Sequence, residues 1–212
     1  MILPKEYEKL SPEDAIVLQM EMRKSINITP LNKDFKLIGG ADISFNKYEE
    51  QVYAGIIVLA YPSMKIGSQV TVKAFTKFPN ISGLLALRET PALLKAWEQL
   101  KQKPDVLILD DQGIAHERGI TTHFGLLTNI PTIGCAKSKL YGNYHQLENE
   151  RFSASPLLKQ EETRGFVLRT KVNCKPIYIS PGHKISIAQS LEIIKNCSLK
   201  HRIPEPLDWL IY

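Results

Sequence analysis

Three apolar segments follow one another in residues 36–76, KLIGGADISFNKYEEQVYAGIIVLAYPSMKIGSQVTVKAFT. Residues 36–45 are typical of a strand that carries glycines. Residues 51–62 form a continuous apolar run with β-branched side chains, as expected of a strand covered on both faces. Residues 69–76 alternate between apolar and polar side chains, which predicts a third strand with one wetter face. Because the connections are short, we predict an antiparallel meander of three strands.

The pattern changes to helical spacing after this meander. Leucines and Trp97 recur at helical intervals between Leu84 and Leu100, and Thr90-Pro91 leaves open whether this segment is one helix or two. Residues 141–162 are polar, which predicts a loop. The other predicted elements are a helix at 11–26, a buried strand at 104–110, a helix near 120–129, a strand at 131–137, a hairpin from 164–170 and 176–180, and a helix at 185–196.

A meander followed by α/β units is a specific order of elements. A doubly wound sheet would alternate strands and helices from its start. We therefore predict an α/β protein with a ribonuclease H-like fold, in which helices cover both faces of a mixed central sheet. The length of 212 residues is common for one domain, so we expect residues 1–212 to form a single domain.

The composition is that of a globular protein with a basic surface. The net charge is +5, which favours a polyanionic partner because lysine and arginine release counterions from phosphates. No apolar run approaches the roughly 20 residues that span a bilayer, and residues 1–10 lack the pattern of a signal peptide. The three cysteines form no CxxC pair, so neither a disulfide framework nor a zinc site is predicted. We expect a cytoplasmic protein that binds no membrane and is a monomer.

Three acidic residues stand in apolar surroundings. Asp42 lies within GGADISF, Glu89 interrupts the leucine-rich helical segment, and Asp110 ends the VLIL strand. A buried carboxylate needs a partner, an opening to solvent or a metal, and any one of these residues is most simply a cap, a salt bridge or an exposed strand end. Together they allow more: if the first and fourth strands are neighbours, the three carboxylates can converge. Oxygen ligands of this kind suit Mg²⁺ or Mn²⁺, which can promote phosphodiester hydrolysis.

A phosphoacceptor receiver domain is a competing interpretation of the same region. KPDVLILDD followed by PTIGCAKS also places an aspartate and a lysine after two strands. A receiver has two more strand–helix steps between those residues, whereas only one helix fits between Asp110 and Lys137. It also needs an acidic pair on its first strand, which GGADIS lacks. The order of elements therefore argues against this class.

Several motifs, in order, resemble those of the endonuclease V family, whose members are inosine-directed nucleases. GGADISF resembles the first-strand motif of that family, and residues 83–119 resemble its central block. IPTIGCAKSKLYG (130–142) resembles the next signature, and ISPGHKIS (179–186) and RIPEP (202–206) resemble the C-terminal motifs. The resemblance covers roughly residues 10–206, and so many ordered motifs are far more specific than any one of them.

This resemblance implies a ribonuclease H-like fold and a function in DNA repair. The implied activity is Mg²⁺-dependent hydrolysis of the second phosphodiester bond on the 3′ side of a deaminated purine, with Mn²⁺ as a possible substitute. Asp42, Glu89 and Asp110 correspond to the metal-binding carboxylates of the family. The implied partner is nucleic acid that contains inosine.

The resemblance also implies roles for residues around these carboxylates. Lys139 would lie near the scissile phosphate and stabilise developing charge. From the residues alone, Lys139 is most simply a solvated loop lysine, and Lys137 is an equally good candidate. His116 would lie close to the active site, although a lone histidine is usually structural. The residues implied to contact the extruded base are Asn80, Gly83, Leu84, Leu85 and Gly113.

The sequence departs from the family pattern in three places. The family usually carries a Pro-Tyr-Ile-Pro wedge where this chain has Pro79-Asn80-Ile81-Ser82, and asparagine cannot stack in the gap that a flipped base leaves. After Asp110 the family commonly has Gly-His-Gly, whereas this chain has Asp111-Gln112-Gly113. Asp111 could be a fourth metal ligand or could repel the substrate. The basic continuation beyond RIPEP is replaced by Leu207-Asp208-Trp209.

Two classes of function are compatible with these residues. The favoured class is a metal-dependent endonuclease that acts on inosine-containing nucleic acid. The alternative is a module that binds deaminated or distorted nucleic acid with little or no cleavage. Within the enzyme class, single strands or inosine-containing RNA are further possible substrates.

Overall fold

The computed structural model describes residues 4–47, 49–116 and 118–210. Eight strands and five α-helices are described in these ranges. The strands are β1 (Leu37–Phe45), β2 (Gln51–Ala60), β3 (Lys65–Phe75), β4 (Val106–Leu109), β5 (Thr132–Ala136), β6 (Ala154–Lys159), β7 (Glu162–Leu168) and β8 (Ile177–His183). The helices are α1 (Pro12–Arg23), α2 (Leu85–Gln99), α3 (Ile120–Thr128), α4 (Ile187–Cys197) and α5 (Glu205–Asp208).

All eight described strands belong to one mixed sheet, in the order β3-β2-β1-β4-β5-β8-β7-β6. The first three strands pair antiparallel, which confirms the predicted meander. β4 pairs parallel with β1 on one side and with β5 on the other. β7 and β8 pair antiparallel, as predicted for the late hairpin. The meander therefore leads directly into α/β units.

Helices cover both faces of the sheet, as predicted. On one face Ile108 of β4 packs in a cluster with Ile194 of α4 and Leu207 of α5. On the other face Leu107 of β4 packs with Phe124 of α3 and with residues of α2. Successive residues of β4 thus enter opposite clusters, because side chains alternate between the faces of a strand. Burial on both faces explains why β4 is an unbroken apolar run.

The leucine-rich segment forms a single helix, α2, with Pro91 inside it. Proline removes one backbone hydrogen bond from a helix interior and ordinarily bends or breaks the helix. Here the apolar face of α2 is firmly packed: Ala92, Leu93 and Ala96 are all buried in the cluster beneath the helix. The hydroxyl of Thr90 also donates to the carbonyl of Ala86. Packing therefore resolves the question that Thr90-Pro91 left open.

The prediction of a loop throughout residues 141–162 was wrong. Residues Ala154–Lys159 form β6, which pairs antiparallel with β7 at the edge of the sheet. The strand was not predicted because proline is unusual in strands. An edge strand tolerates Pro156, however, because one side of such a strand makes no ladder hydrogen bonds. Ser155 and Leu157 are buried, so the segment also has the alternation of a half-buried strand.

A buried polar pair connects the N-terminal segment to α3. Residues Pro4–Lys9 form a 3-10 helix that the sequence did not indicate, and its Tyr7 is fully buried. The Tyr7 hydroxyl lies 2.9 Å from Nε2 of His123. Burial lowers the pKa of His123 to about 4, because the charged imidazolium is poorly solvated there.

This pKa predicts a loss of stability in mild acid. The unfolded chain binds the His123 proton below its ordinary pKa of 6.5, whereas the folded protein binds it only near 4. Protonation therefore favours unfolding as the pH falls through this window, by about 2 kcal/mol between pH 8 and pH 5. Chemical unfolding of the wild type and of His123→Gln at both pH values measures the effect. The variant should lose about 2 kcal/mol less than the wild type, and equal losses would contradict the assignment to His123.

Within the described ranges, none of the helices combines the length and the apolar character needed to cross a membrane.

Candidate active site

Asp42 and Asp110 lie side by side where β1 and β4 run in parallel. Ala41 of β1 is opposite Leu109 of β4, so the next residue of each strand lies at the same level. Asp42 follows Ile38 by an even number of residues in β1, which directs its side chain to the face of the sheet that carries α4 and α5. The first and fourth strands are therefore neighbours, which is the condition for convergence of the two carboxylates.

Burial raises the pKa of Asp42 above its ordinary value, because the carboxylate is partly removed from water. The negative charge of Asp110 acts in the same direction, whereas the positive charge of Lys137 and a hydrogen bond from the Ile43 N–H lower the pKa. That N–H lies 2.9 Å from the Asp42 carboxylate. The net effect is a carboxylate whose surroundings supply less positive charge than it requires.

Glu89 extends this acidic region from the N-terminal half of α2. Burial raises its pKa to about 8, and the charges of Asp111 and Asp42 act in the same direction. Arg88 lowers the pKa, but not enough to offset the other effects. Glu89 is thus within electrostatic range of Asp42, although α2 packs on the face of the sheet opposite to the one toward which Asp42 points. Its convergence with the two aspartates stays a prediction. A cation that enters this region would relieve the crowding of negative charge.

The donor set fits a hard divalent cation that keeps some of its water. Within the described residues, no three His, Cys, Asp or Glu side chains form a ready-made cage. Mg²⁺ does not require one, since it is usually held by one or two carboxylates together with waters and phosphate oxygens. The adjacent carboxylates of Asp42 and Asp110 meet that requirement, and Glu89 adds negative charge nearby.

Lys137 supplies a cation that contacts Asp110 and acts electrostatically on Asp42. It directly follows β5, and its Nζ lies 2.7 Å from Oδ2 of Asp110. Burial lowers the pKa of the Lys137 ammonium, but the hydrogen bond to Asp110 and the charges of Asp110 and Asp42 more than offset this, so the pKa lies above its ordinary value. The side chain is therefore a fixed positive charge at neutral pH. Its contact with Asp110 distinguishes it from Lys139, which the sequence left as an equal candidate.

Lys139, the lysine singled out by resemblance, lies elsewhere in the same loop. Its side chain is exposed, and its Nζ is 6.0 Å from the ring centroid of Tyr144. The loop is held by Gln112, whose buried Oε1 accepts the backbone N–H groups of Leu140 at 3.0 Å and Tyr141 at 2.8 Å. This role of Gln112 was not predicted.

Asp111 is directed into the protein at the start of α3. Its side chain is 8% exposed, and its Oδ2 accepts the backbone N–H of Thr121 at 3.0 Å. A side chain on Gly119 would collide with it, since an added Cβ would lie 2.1 Å from Oδ2. Burial raises the pKa of Asp111, while hydrogen bonds from Thr121 and Gln112 and the charge of His116 lower it. The carboxylate thus satisfies the positive end of a helix.

This contact predicts that Asp111 acts mainly on stability. Asp111→Ala should lower the free energy of unfolding by about 1–2 kcal/mol, because an N–H at the start of α3 loses its acceptor. Asp111→Asn keeps an oxygen acceptor and should lose less. Denaturant unfolding of both variants in EDTA measures the difference. Unchanged stability of Asp111→Ala together with lost metal affinity would instead identify Asp111 as a fourth metal ligand.

His116 lies at the end of a 3-10 helix formed by Gly113–Ala115, six residues after Asp110. The imidazole is half-buried, and its charge acts on Asp111. Gly113 has a φ of +49°, and a Cβ there would lie 2.4 Å from the carbonyl oxygen of Pro181. Glycine is therefore required for this loop to turn back against β8.

The residues implied to contact an extruded base differ in how exposed they are and in what they contact. Gly83 has a φ of +83°, and a Cβ there would lie 3.4 Å from a guanidinium nitrogen of Arg118, so its main chain faces the loop that follows Asp110. Leu85 is half-buried, but Leu84 is 2% exposed and packs in an apolar cluster, so its side chain belongs to the core. Asn80 donates to the carbonyl of Lys47 at 3.3 Å.

These observations define a class of protein: a mixed α/β sheet that brings together an aspartate within one central strand with an aspartate and a lysine that directly follow the next two strands of the sheet. Comparison with known proteins gives the family. Residues 20–209 match the family model of Endonuclease V. The chain belongs to the Endonuclease V family.

Solved structures agree with this assignment. An Endonuclease V from Streptomyces avermitilis is 30% identical, with a TM-score of 0.88 over 94% of this chain and 89% of that chain. The Bacillus subtilis protein is 26% identical, with a TM-score of 0.89 over 96% and 90%. An Endonuclease V from Ciona intestinalis, in complex with a 24mer DNA containing an inosine followed by a ribo-adenosine, is 30% identical, with a TM-score of 0.76 over 92% of both chains. The predicted family and ribonuclease H-like fold are confirmed.

Proposed function

We propose that this protein is a metal-dependent endonuclease that hydrolyses a phosphodiester bond on the 3′ side of inosine in nucleic acid. The observation that carries this proposal is the position of Asp42 in β1 beside Asp110, which directly follows β4, with Lys137 Nζ 2.7 Å from Asp110. The relative from Ciona intestinalis, which is bound to inosine-containing DNA, supports the choice of substrate.

Asp42 and Asp110 would hold the divalent ion, with Glu89 as a third carboxylate. We propose Mg²⁺, with Mn²⁺ as a substitute, because both prefer oxygen ligands. Support comes from the burial that raises the pKa of Asp42 and of Glu89, since both carboxylates lack sufficient neutralising charge. When bound, such an ion supplies an activated water and neutralises charge on the phosphate.

Lys137 would stabilise the negative charge that develops on the phosphate as the bond breaks. Its ammonium is held by Asp110 and stays protonated at neutral pH. A donor that is already in place needs no reorganisation during the reaction, which is why such groups have large effects on rate. We therefore propose Lys137 for the role that family resemblance suggested for Lys139.

The base would be bound through main-chain groups around Gly83 and Gly113. Both glycines have a positive φ and lie in loops that flank the acidic residues. A pocket lined by backbone can contact the edge of a flipped base closely, because no side chains intervene. Asn80 supplies no aromatic ring to fill the gap in the helix, so we propose that this enzyme favours bases that are already unstacked, as in single strands.

Cleavage of matched oligonucleotides tests the proposed function. Single- and double-stranded DNA and RNA, each with either inosine or adenosine at one position, are incubated with Mg²⁺, Mn²⁺ or EDTA. The proposal requires a nick 3′ to inosine that depends on a metal ion, with the single strand cut faster than the duplex. Tight binding of the inosine oligonucleotide without any nick in either metal would instead identify a binding module.

A further inference from the structure

A groove of about 240 Å³ opens beside Asp42 on the face of the sheet away from α2. Its floor is formed by β1, β2 and β3, and one wall by Trp209 and Leu210, which follow α5. Gly55 lies at the centre of the floor, where an added Cβ would be 3.2 Å from a methyl group of Leu210. The absence of a side chain at Gly55 therefore keeps the groove open next to the carboxylate.

The register of the meander arranges the floor in rows of side chains that point the same way. Asp42 is opposite Gly55, which is opposite Thr71. The next row on this face is Ser44, Tyr53 and Lys73, and the row after that includes Gln51 and Phe75. Rows on one face are two residues apart, or about 7 Å, so Phe75 lies about 13 Å along the strands from the level of Asp42.

Large aromatic side chains are exposed along these rows. Tyr53 is 42% exposed, Phe75 is 67% exposed, and Trp209 in the wall is 50% exposed. The Nζ of Lys73 lies 6.0 Å from the centroid of the Tyr53 ring and 5.6 Å from that of Phe75. The opposite face of the same strands is buried beneath α2, so exposure is confined to the side that bears Asp42. Grouped aromatic rings on a surface are typical of a binding site.

We infer that this surface, which we call the aromatic face (Ser44, Tyr53, Thr71, Lys73, Phe75 and Trp209), binds the single-stranded part of the substrate that continues from the cleaved phosphate. The inference rests on the proposed function. Asp42 belongs both to the carboxylate pair and to the groove, so a strand whose phosphate is at Asp42 extends directly over these rows. Successive bases then stack on Tyr53 and Phe75, and Lys73 neutralises a phosphate between them.

The chemistry of the face favours nucleic acid over other occupants. Rings at intervals, separated by the hydroxyls of Ser44 and Thr71 and by one ammonium, suit bases joined by a charged backbone. Stacking on rings is tolerant of sequence, because every base has an aromatic surface. The aromatic face would therefore add affinity without reading the sequence beside inosine.

Binding of inosine oligonucleotides in EDTA tests the inference without cleavage. One set of oligonucleotides is lengthened by one nucleotide at a time on each side of the inosine, and Kd is measured by fluorescence anisotropy. Lengthening on one side should tighten binding to the wild type, and Tyr53→Ala/Phe75→Ala should remove about tenfold or more of that gain. Tyr53→Phe should keep it. Val172→Ala, which alters an exposed apolar residue in the connection between β7 and β8, is the matched control and should bind as the wild type does.

Two further measurements show where the nucleic-acid strand lies on the protein. Lys73→Ala should reduce the slope of log Kd against log salt by about one, as expected for one lost phosphate contact. An oligonucleotide with 5-iodouracil beside the inosine should crosslink to Tyr53 or Phe75 on irradiation. Equal Kd values for the wild type and the double variant, or crosslinks only to other segments, would overturn the inference. If the inference fails in this way but the wild type still cleaves inosine oligonucleotides with Mg²⁺, the proposed function stands. Only the role of the aromatic face in binding is then excluded.

Discussion

Asp42→Asn is expected to lower the rate of cleavage by about 10³-fold or more, because a metal ligand is lost where the reaction needs both an activated water and charge neutralisation. The same change should raise the free energy of unfolding of the metal-free protein. Burial raises the pKa of Asp42, so the ionised side chain costs folding energy that a neutral amide does not. Single-turnover cleavage and denaturant unfolding in EDTA measure the two effects.

The combination of a lost rate and a gained stability separates a reactive carboxylate from a structural one. Asp34→Asn is the control, because Asp34 is an exposed aspartate and its replacement should change neither quantity appreciably. A rate for Asp42→Asn within about tenfold of the wild type would exclude Asp42 from the metal site. Isothermal titration with Mn²⁺ gives an independent answer, since the variant should bind the ion more weakly.

Lys137→Ala is expected to slow the cleavage step by about 10²–10³-fold, the usual cost of removing one fixed donor from a developing negative charge. Lys139→Ala should change the rate by less than about tenfold, because an exposed ammonium is screened by solvent and salt. Single-turnover rates at saturating enzyme isolate the cleavage step, and Kd values measured in EDTA show whether substrate binding has changed.

The two lysines serve as controls for each other, since they lie in one loop and carry the same charge. Lys137→Arg keeps the charge with a different geometry and should retain an intermediate rate. A large loss in Lys139→Ala with near-normal cleavage by Lys137→Ala would reverse the assignment. It would also mean that the loop held by Gln112 moves Lys139 toward the phosphate when substrate binds.

Much of the fold could be predicted because the pattern of apolar and polar residues in a strand shows which of its faces are buried. β4 and residues 56–59 of β2 are buried on both faces and are therefore continuous apolar runs, whereas Tyr53 at the start of β2 is exposed. The order of a meander before α/β units is already specific. β6 was missed because Pro156 and its polar neighbours are typical of a loop, and only pairing with β7 makes that segment a strand. The single helix α2 likewise depends on packing that compensates for Pro91.

For the candidate site, too, the sequence predicted some features and only the tertiary structure decided the others. The sequence alone placed Asp42 within the first strand and Asp110 at the end of the fourth, since a carboxylate that interrupts or ends an apolar run is visible without coordinates. It could not decide between Lys137 and Lys139, or between a ligand and a structural role for Asp111. Those choices depend on the direction of a side chain: Lys137 contacts Asp110, whereas Asp111 contacts the first turn of α3. Local sequence sets which residues are buried, but only the packing of distant elements determines which charges meet.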